Sequence, residues 1–76
     1  RLKHVELVAI EVIKLFLEYN RPALESYAGI TLEGDNYEIL FAIGKKKGCL
    51  IRGGVVDERR VALQLVRDWQ RGRLRL

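Results

Sequence analysis

The chain has 76 residues, of which 49% are hydrophobic and 32% charged, with a formal net charge of +4 at pH 7. This length predicts one small domain and excludes a large enzyme. The single cysteine and single histidine exclude an internal disulfide and a Cys/His zinc site. Glutamates and a lysine interrupt the most apolar stretch, which excludes a membrane span and predicts an intracellular protein. Because the first residue is Arg1, we expect a piece of a longer protein.

Charge is distributed unevenly along the chain. Residues 1–38 carry four basic and seven acidic side chains, whereas residues 39–76 carry ten basic and three acidic ones. A basic half favours contact with a polyanion, but a solvated surface would produce the same count. Both interpretations stay open until the charges are placed on elements.

The first predicted helix covers residues 2–19, where apolar residues recur at helical spacing. With Ile10 and Leu17 included, its apolar face is wider than one neighbouring helix would cover. Either this face docks on a partner that the chain lacks, or the segment is the central helix of a bundle.

A second and a third helix follow. Pro22 suits the first position of a short helix over residues 22–28, and Gly29 suits the left-handed residue that ends it. Asp35 and Glu38 have the spacing of a capping box and predict the start of the third helix. This helix ends before Gly48 in three consecutive lysines, whose charge also complements the helix dipole.

The link to the last helix combines an apolar segment with a turn. Residues 49–51 (CLI) predict a short plug that returns into the core, and the paired glycines at 53 and 54 permit a tight turn. Asp57 is a suitable N-cap for a fourth helix over residues 58–71, which Gly72 would end.

The fourth helix has two faces of opposite character. The predicted core face is Val61, Ala62, Leu65, Val66 and Trp69. The opposite side, here called the basic face, is Arg60, Leu63, Gln64, Arg67 and Arg71, with Arg59 and Gln70 beside it. Guanidinium groups match phosphate oxygens with two parallel hydrogen bonds, so this face favours a nucleic-acid backbone over a merely solvated surface.

No catalytic set emerges from the sequence. The glycine spacings do not form a Walker A loop, because Asp35 follows Gly34 and Gly54 follows Gly53 where that loop requires lysine. No Ser/His/Asp set or carboxylate pair can be assembled. We therefore predict that this chain has no enzyme activity, no metal site and no cofactor of its own.

Several segments resemble the C-terminal helical domain of ribosome biogenesis GTPase A, a circularly permuted GTPase family. They are residues 43–50 (IGKKKGCL), 53–57 (GGVVD), 65–69 (LVRDW) and 72–74 (GRL), and a weaker likeness covers the rest of the chain. The chain departs from the family pattern at Trp69, where phenylalanine is usual, and at Arg75, where glycine is usual.

The resemblance implies that GTP and Mg are bound by a GTPase domain that precedes residue 1. It also implies a role in late assembly of the large ribosomal subunit, in which this domain contacts ribosomal RNA. The compartment would then be the bacterial cytoplasm or the mitochondrial matrix.

From these observations we predict an all-α bundle of three to four helices, with residues 1–76 as a single accessory domain. We expect it to bind large-subunit ribosomal RNA through helix-face phosphate contacts, and to bind neither membrane nor DNA. The candidate RNA-binding residues, chosen by charge and helix face, are Lys45, Lys46, Lys47, Arg52, Arg60, Arg67 and Arg71.

Two other hypotheses stay open. The wide face of the first helix could dock on the GTPase domain of the same protein and couple nucleotide state to ribosome binding. Helices three and four could form a DNA-binding helix-turn-helix, although their link is longer than the usual three or four residues.

Overall fold

The structure is a computed structural model that describes residues 4–76. The elements in chain order are α1 (His4–Tyr19), α2 (Arg21–Ala28), α3 (Asn36–Lys46), β1 (Leu50–Ile51), β2 (Val55–Val56) and α4 (Glu58–Gln70). The predicted bundle of three to four helices is confirmed, with an added two-stranded antiparallel hairpin. The predicted start of the first helix at Leu2 lies outside the described residues.

α1 is the central helix of the bundle. It contacts α2, α3 and α4, and its side chains Ala9, Ile13 and Phe16 are fully buried. Ile10 is only 6% exposed, and Leu17 packs against the same core. The wide apolar face is therefore covered by this chain itself, which confirms the central-helix interpretation and removes Ile10 and Leu17 from the surface on which docking was expected.

Side-chain caps fix where the helices begin. The Asn20 side-chain oxygen accepts a hydrogen bond from the Ala23 backbone N–H at 3.2 Å, so α2 begins one residue before the predicted Pro22. The predicted capping box of α3 is present: the Glu38 backbone N–H donates to the Asp35 carboxylate at 2.9 Å, and the Asp35 backbone N–H donates to the Glu38 carboxylate at 2.9 Å. Each cap satisfies N–H groups that the helix itself leaves unpaired.

The predicted apolar plug at residues 49–51 is wrong for two of its three residues. Cys49 is buried, but Leu50 is 37% and Ile51 54% exposed. Leu50 and Ile51 form β1, in which Ile51 lies opposite Val55 of β2. Alternation along the strand turns Leu50 away from the core that Cys49 enters. Ile51 is also exposed, next to the turn over residues 52–54.

The prediction that Trp69 belongs to the core is also wrong, since its side chain is 37% exposed. Asp68 occupies the buried position in the last turn of α4 instead. Its carboxylate accepts a hydrogen bond from the Tyr27 hydroxyl at 2.8 Å. Because neighbouring helical positions differ by about 100°, turning Asp68 inward leaves Trp69 partly in solvent.

The C-terminal segment folds back onto the bundle. Leu74 is 2% exposed, and the Arg73 backbone N–H donates to the Asp68 carbonyl at 2.8 Å. The Asn20 side-chain amide donates to the carbonyl of Leu76 at 2.9 Å. Asn20 therefore both caps α2 and holds the end of the chain.

A glycine in the middle of α3 allows the hairpin to approach that helix. Gly44 is buried, and a Cβ atom at this position would lie 2.7 Å from Val56 Cγ1 and 3.2 Å from Val61 Cγ1. β2 and α4 therefore pack against α3 at a distance that only glycine permits.

No helix within residues 4–76 is both long and apolar enough to cross a membrane.

We expect Gly44→Ala to lower the free energy of unfolding by about 1–2 kcal/mol, because the steric cost exceeds the gain of about 1 kcal/mol in helix propensity. Urea denaturation monitored by circular dichroism measures the change. Val56→Ala removes the Cγ1 atom that the new methyl group meets, so Gly44→Ala should cost less in that background. An equal cost in both backgrounds would contradict the proposed contact.

Candidate functional site

An open groove of about 570 Å³ runs along the outer side of α4. The residues that line this α4 groove are Asp57, Arg59, Arg60, Leu63, Gln64, Arg67, Asp68, Arg71 and Arg73. Five of them are arginines and two are aspartates. The groove is therefore strongly cationic, with an uncharged middle section.

The packing of α4 determines which side chains face the groove. Val61 and Leu65 are fully buried in the core. Arg60, Gln64, Arg67 and Arg71 follow one another at steps of three or four residues, so they lie on one side of the helix. At 1.5 Å per residue the row extends about 16 Å along the helix axis.

Four of the groove arginines are free of acidic partners among the described residues. Arg59, Arg60, Arg67 and Arg71 are all exposed. The ion pairs within residues 4–76 involve the cations Lys14, Arg21 and Arg73. Of these three, Arg73 lines the groove, and its Nη1 lies 3.5 Å from Asp68 Oδ1. Among the described residues, none of these four guanidinium groups forms an ion pair, which leaves them available for an anionic ligand.

Asp68 links the groove to the interior. Its carboxylate accepts from the Tyr27 hydroxyl at 2.8 Å and from Arg73 Nη1 at 3.5 Å. Burial, and after it the hydrogen bond to Asp68, raises the pKa of the Tyr27 hydroxyl above its ordinary value. Lys47 Nζ lies 4.1 Å from the centre of the Tyr27 ring and donates to the Tyr27 carbonyl at 3.4 Å. The network thus joins α2, the end of α3, α4 and the C-terminal segment.

The structure brings together three of the seven predicted RNA-binding residues. Arg60, Arg67 and Arg71 line the α4 groove. Lys45 and Lys46 are exposed at the C-terminal end of α3, and Arg52 is exposed in the turn between β1 and β2. Lys47 is half-buried against Tyr27. These four residues do not line the groove, and a contact of any of the seven with RNA remains a prediction.

Sequence reasoning left two groove arginines out of the candidate set. Arg59 lies beside Arg60 on the helix, so its position was readable from helical spacing. Arg73 lies beyond the end of α4 and lines the groove only because the C-terminal segment folds back. No sequence pattern signalled that return.

The described part of the chain shows no metal centre. Within residues 4–76, no three His, Cys, Asp or Glu side chains are grouped so that they could hold a metal ion. Cys49 is buried, and its thiol donates to Gln64 Oε1 at 3.4 Å.

Comparison with known proteins relates the chain to a GTP-binding protein. It is 29% identical over 66 residues to an uncharacterized GTP-binding protein of Methanocaldococcus jannaschii, an overlap of 87% of this chain. The chain spans only 18% of the length of that relative. No protein-family model matches the chain, and no solved structure matches it.

The raised pKa of Tyr27 predicts a loss of stability in alkali. The unfolded chain releases the Tyr27 proton near pH 10.0, the ordinary value, whereas the folded chain retains it to higher pH. The contribution of Tyr27 to the free energy of unfolding is therefore fully present below pH 10.0 and declines above it, because unfolding then releases a proton. Urea denaturation between about pH 8 and 11 should show a steeper decline for the native chain than for Tyr27→Phe. Parallel declines would contradict this assignment.

Proposed function

We propose that this chain is the RNA-binding accessory domain of a ribosome-assembly GTPase, and that it binds large-subunit ribosomal RNA through the α4 groove. The observation that carries the proposal is the row of exposed groove arginines without acidic partners among the described residues. The chain itself would hold RNA and would not hydrolyse GTP.

The chemistry of the groove suits a phosphate backbone. Arginine presents a planar fork of N–H donors that matches two phosphate oxygens, and several such contacts along about 16 Å of helix would engage more than one phosphate. Proteins recognise structured RNA largely through its shape and backbone, which requires no exposed aromatic residue. The aromatic side chain of α4, Trp69, does not line the groove.

The GTPase part of the proposal is supported by similarity. The relative is a GTP-binding protein, and more than four fifths of its length lies outside the matched region, which leaves room for a GTPase domain. The motifs that resemble ribosome biogenesis GTPase A point in the same direction. GTP and Mg would be bound by that domain.

The test is the affinity for large-subunit ribosomal RNA across a salt series. We expect Arg60→Glu/Arg67→Glu to weaken binding by more than tenfold at low salt. The slope of log affinity against log salt should flatten by about 1.4 to 1.8, because each lost phosphate contact removes roughly 0.7 to 0.9. Circular dichroism should show unchanged helix content, since both side chains are exposed.

A charge-matched control separates the groove from net charge. Lys14→Glu/Arg75→Glu changes the net charge by the same amount at two exposed positions outside the groove and outside the candidate set. An equal loss with both double variants would show that binding follows net charge and would refute the groove as the site. Negligible binding by the native chain would favour the alternative, a module that docks on the GTPase domain.

A further inference from the structure

The middle of the α4 groove is lined by two uncharged residues. Leu63 and Gln64 lie between the arginines of the two ends. Gln64 is one helical turn from Arg60 on one side and about one turn from Arg67 on the other, which places neighbouring Cβ atoms about 5–6 Å apart. A phosphate held by either arginine would therefore bring its own nucleoside next to Gln64.

A buried thiol fixes the orientation of the Gln64 amide. Cys49 is 1% exposed, and its Sγ lies 3.4 Å from Gln64 Oε1. In this contact the thiol donates to the amide oxygen, so the oxygen end of the Gln64 amide lies toward the buried thiol. Gln64 is exposed and lines the groove, so its amide NH2 group, with two N–H donors, is accessible to a ligand there.

Cys49 itself is held in place by the backbone. Its N–H donates to the carbonyl of Gly44 at 2.8 Å, and its carbonyl accepts from the Asp57 N–H at 2.8 Å. These bonds tie the thiol to α3 and to the N-cap of α4. The direction of the Gln64 amide is thereby set by the tertiary structure and not by α4 alone.

We propose that Gln64 contacts the nucleoside of the bound RNA by donating a hydrogen bond to an oxygen or nitrogen acceptor of the sugar or base. Cys49 is the positioning residue that turns the Gln64 donors outward. This inference rests on the proposed function, because the groove arginines must first hold the backbone. The two N–H donors of Gln64 would then favour an acceptor of the RNA at this point of the groove.

The test uses the 76-residue chain with a short RNA hairpin and the same hairpin carrying 2′-fluoro groups. Gln64→Met keeps the length of the side chain and removes its donors. We expect it to weaken binding to the RNA hairpin by roughly three- to tenfold, the worth of one neutral hydrogen bond, without changing the salt slope. The matched control is Gln70→Met, an exposed position on α4 outside the groove, which should leave binding unchanged.

The modified hairpin identifies the source of the acceptor. If Gln64 contacts a sugar hydroxyl, Gln64→Met should weaken binding to the RNA but not to the 2′-fluoro hairpin. If it contacts a base, both hairpins should lose the same factor. Either result supports the proposal, and native affinity of Gln64→Met for both hairpins would overturn it.

Variants of Cys49 test the positioning role. Cys49→Ser retains a donor for the amide oxygen and should preserve affinity, whereas Cys49→Ala should weaken binding toward the level of Gln64→Met. In a Gln64→Met background, Cys49→Ala should weaken RNA binding no further. If Cys49 only stabilised the fold, Cys49→Ala would weaken binding in both backgrounds. Equal affinities for the Ser and Ala variants would refute the positioning role.

An arginine variant distinguishes a failure of this inference from a failure of the proposed function. Arg67→Gln should flatten the salt slope by about 0.7 to 0.9, the value for one phosphate contact. If it does while Gln64→Met binds like the native chain, the inference fails and the phosphate site stands. If Arg67→Gln leaves the slope unchanged, the proposed function fails as well.

Discussion

The packing of α4 against α1 fixes which side of α4 carries the groove. Buried side chains on both helices, such as Ile13 and Leu65, fix the rotation of α4 about its axis. Once that rotation is fixed, residues that recur every three or four positions on the opposite side of α4 must face solvent. The row of arginines in the α4 groove is therefore a direct consequence of core formation.

A second constraint comes from the buried carboxylate of Asp68. A polar group taken out of water is costly unless it is hydrogen-bonded, and here Tyr27 and Arg73 supply the partners of the Asp68 side chain. The cost is offset by contacts that also tie α2 and the C-terminal segment to α4. The same arrangement brings Arg73 to the groove and leaves Trp69 partly in solvent, so one buried polar group shapes both the C-terminal segment and the groove.

The hairpin between α3 and α4 has a similar double role. Val56 packs over Gly44 at a distance that excludes a larger residue on α3. This close approach sets the position of Cys49, which comes just before β1, and through it the direction of the Gln64 amide. A structural glycine on one helix thus influences the chemistry of a groove on another.

The four helices, the caps of α3 and α4 and the arginine row could be predicted from the sequence, because helical spacing and N-cap chemistry are local properties. The Asn20 cap of α2 was not predicted. Tertiary contacts decided that the apolar face of α1 is covered by the other helices, where Leu50, Ile51 and Trp69 point, and that Arg73 joins the groove. These outcomes depend on contacts between residues far apart in the chain. Neither apolar character nor spacing encodes them, since an apolar residue can face a partner helix, a hairpin or water with the same local pattern.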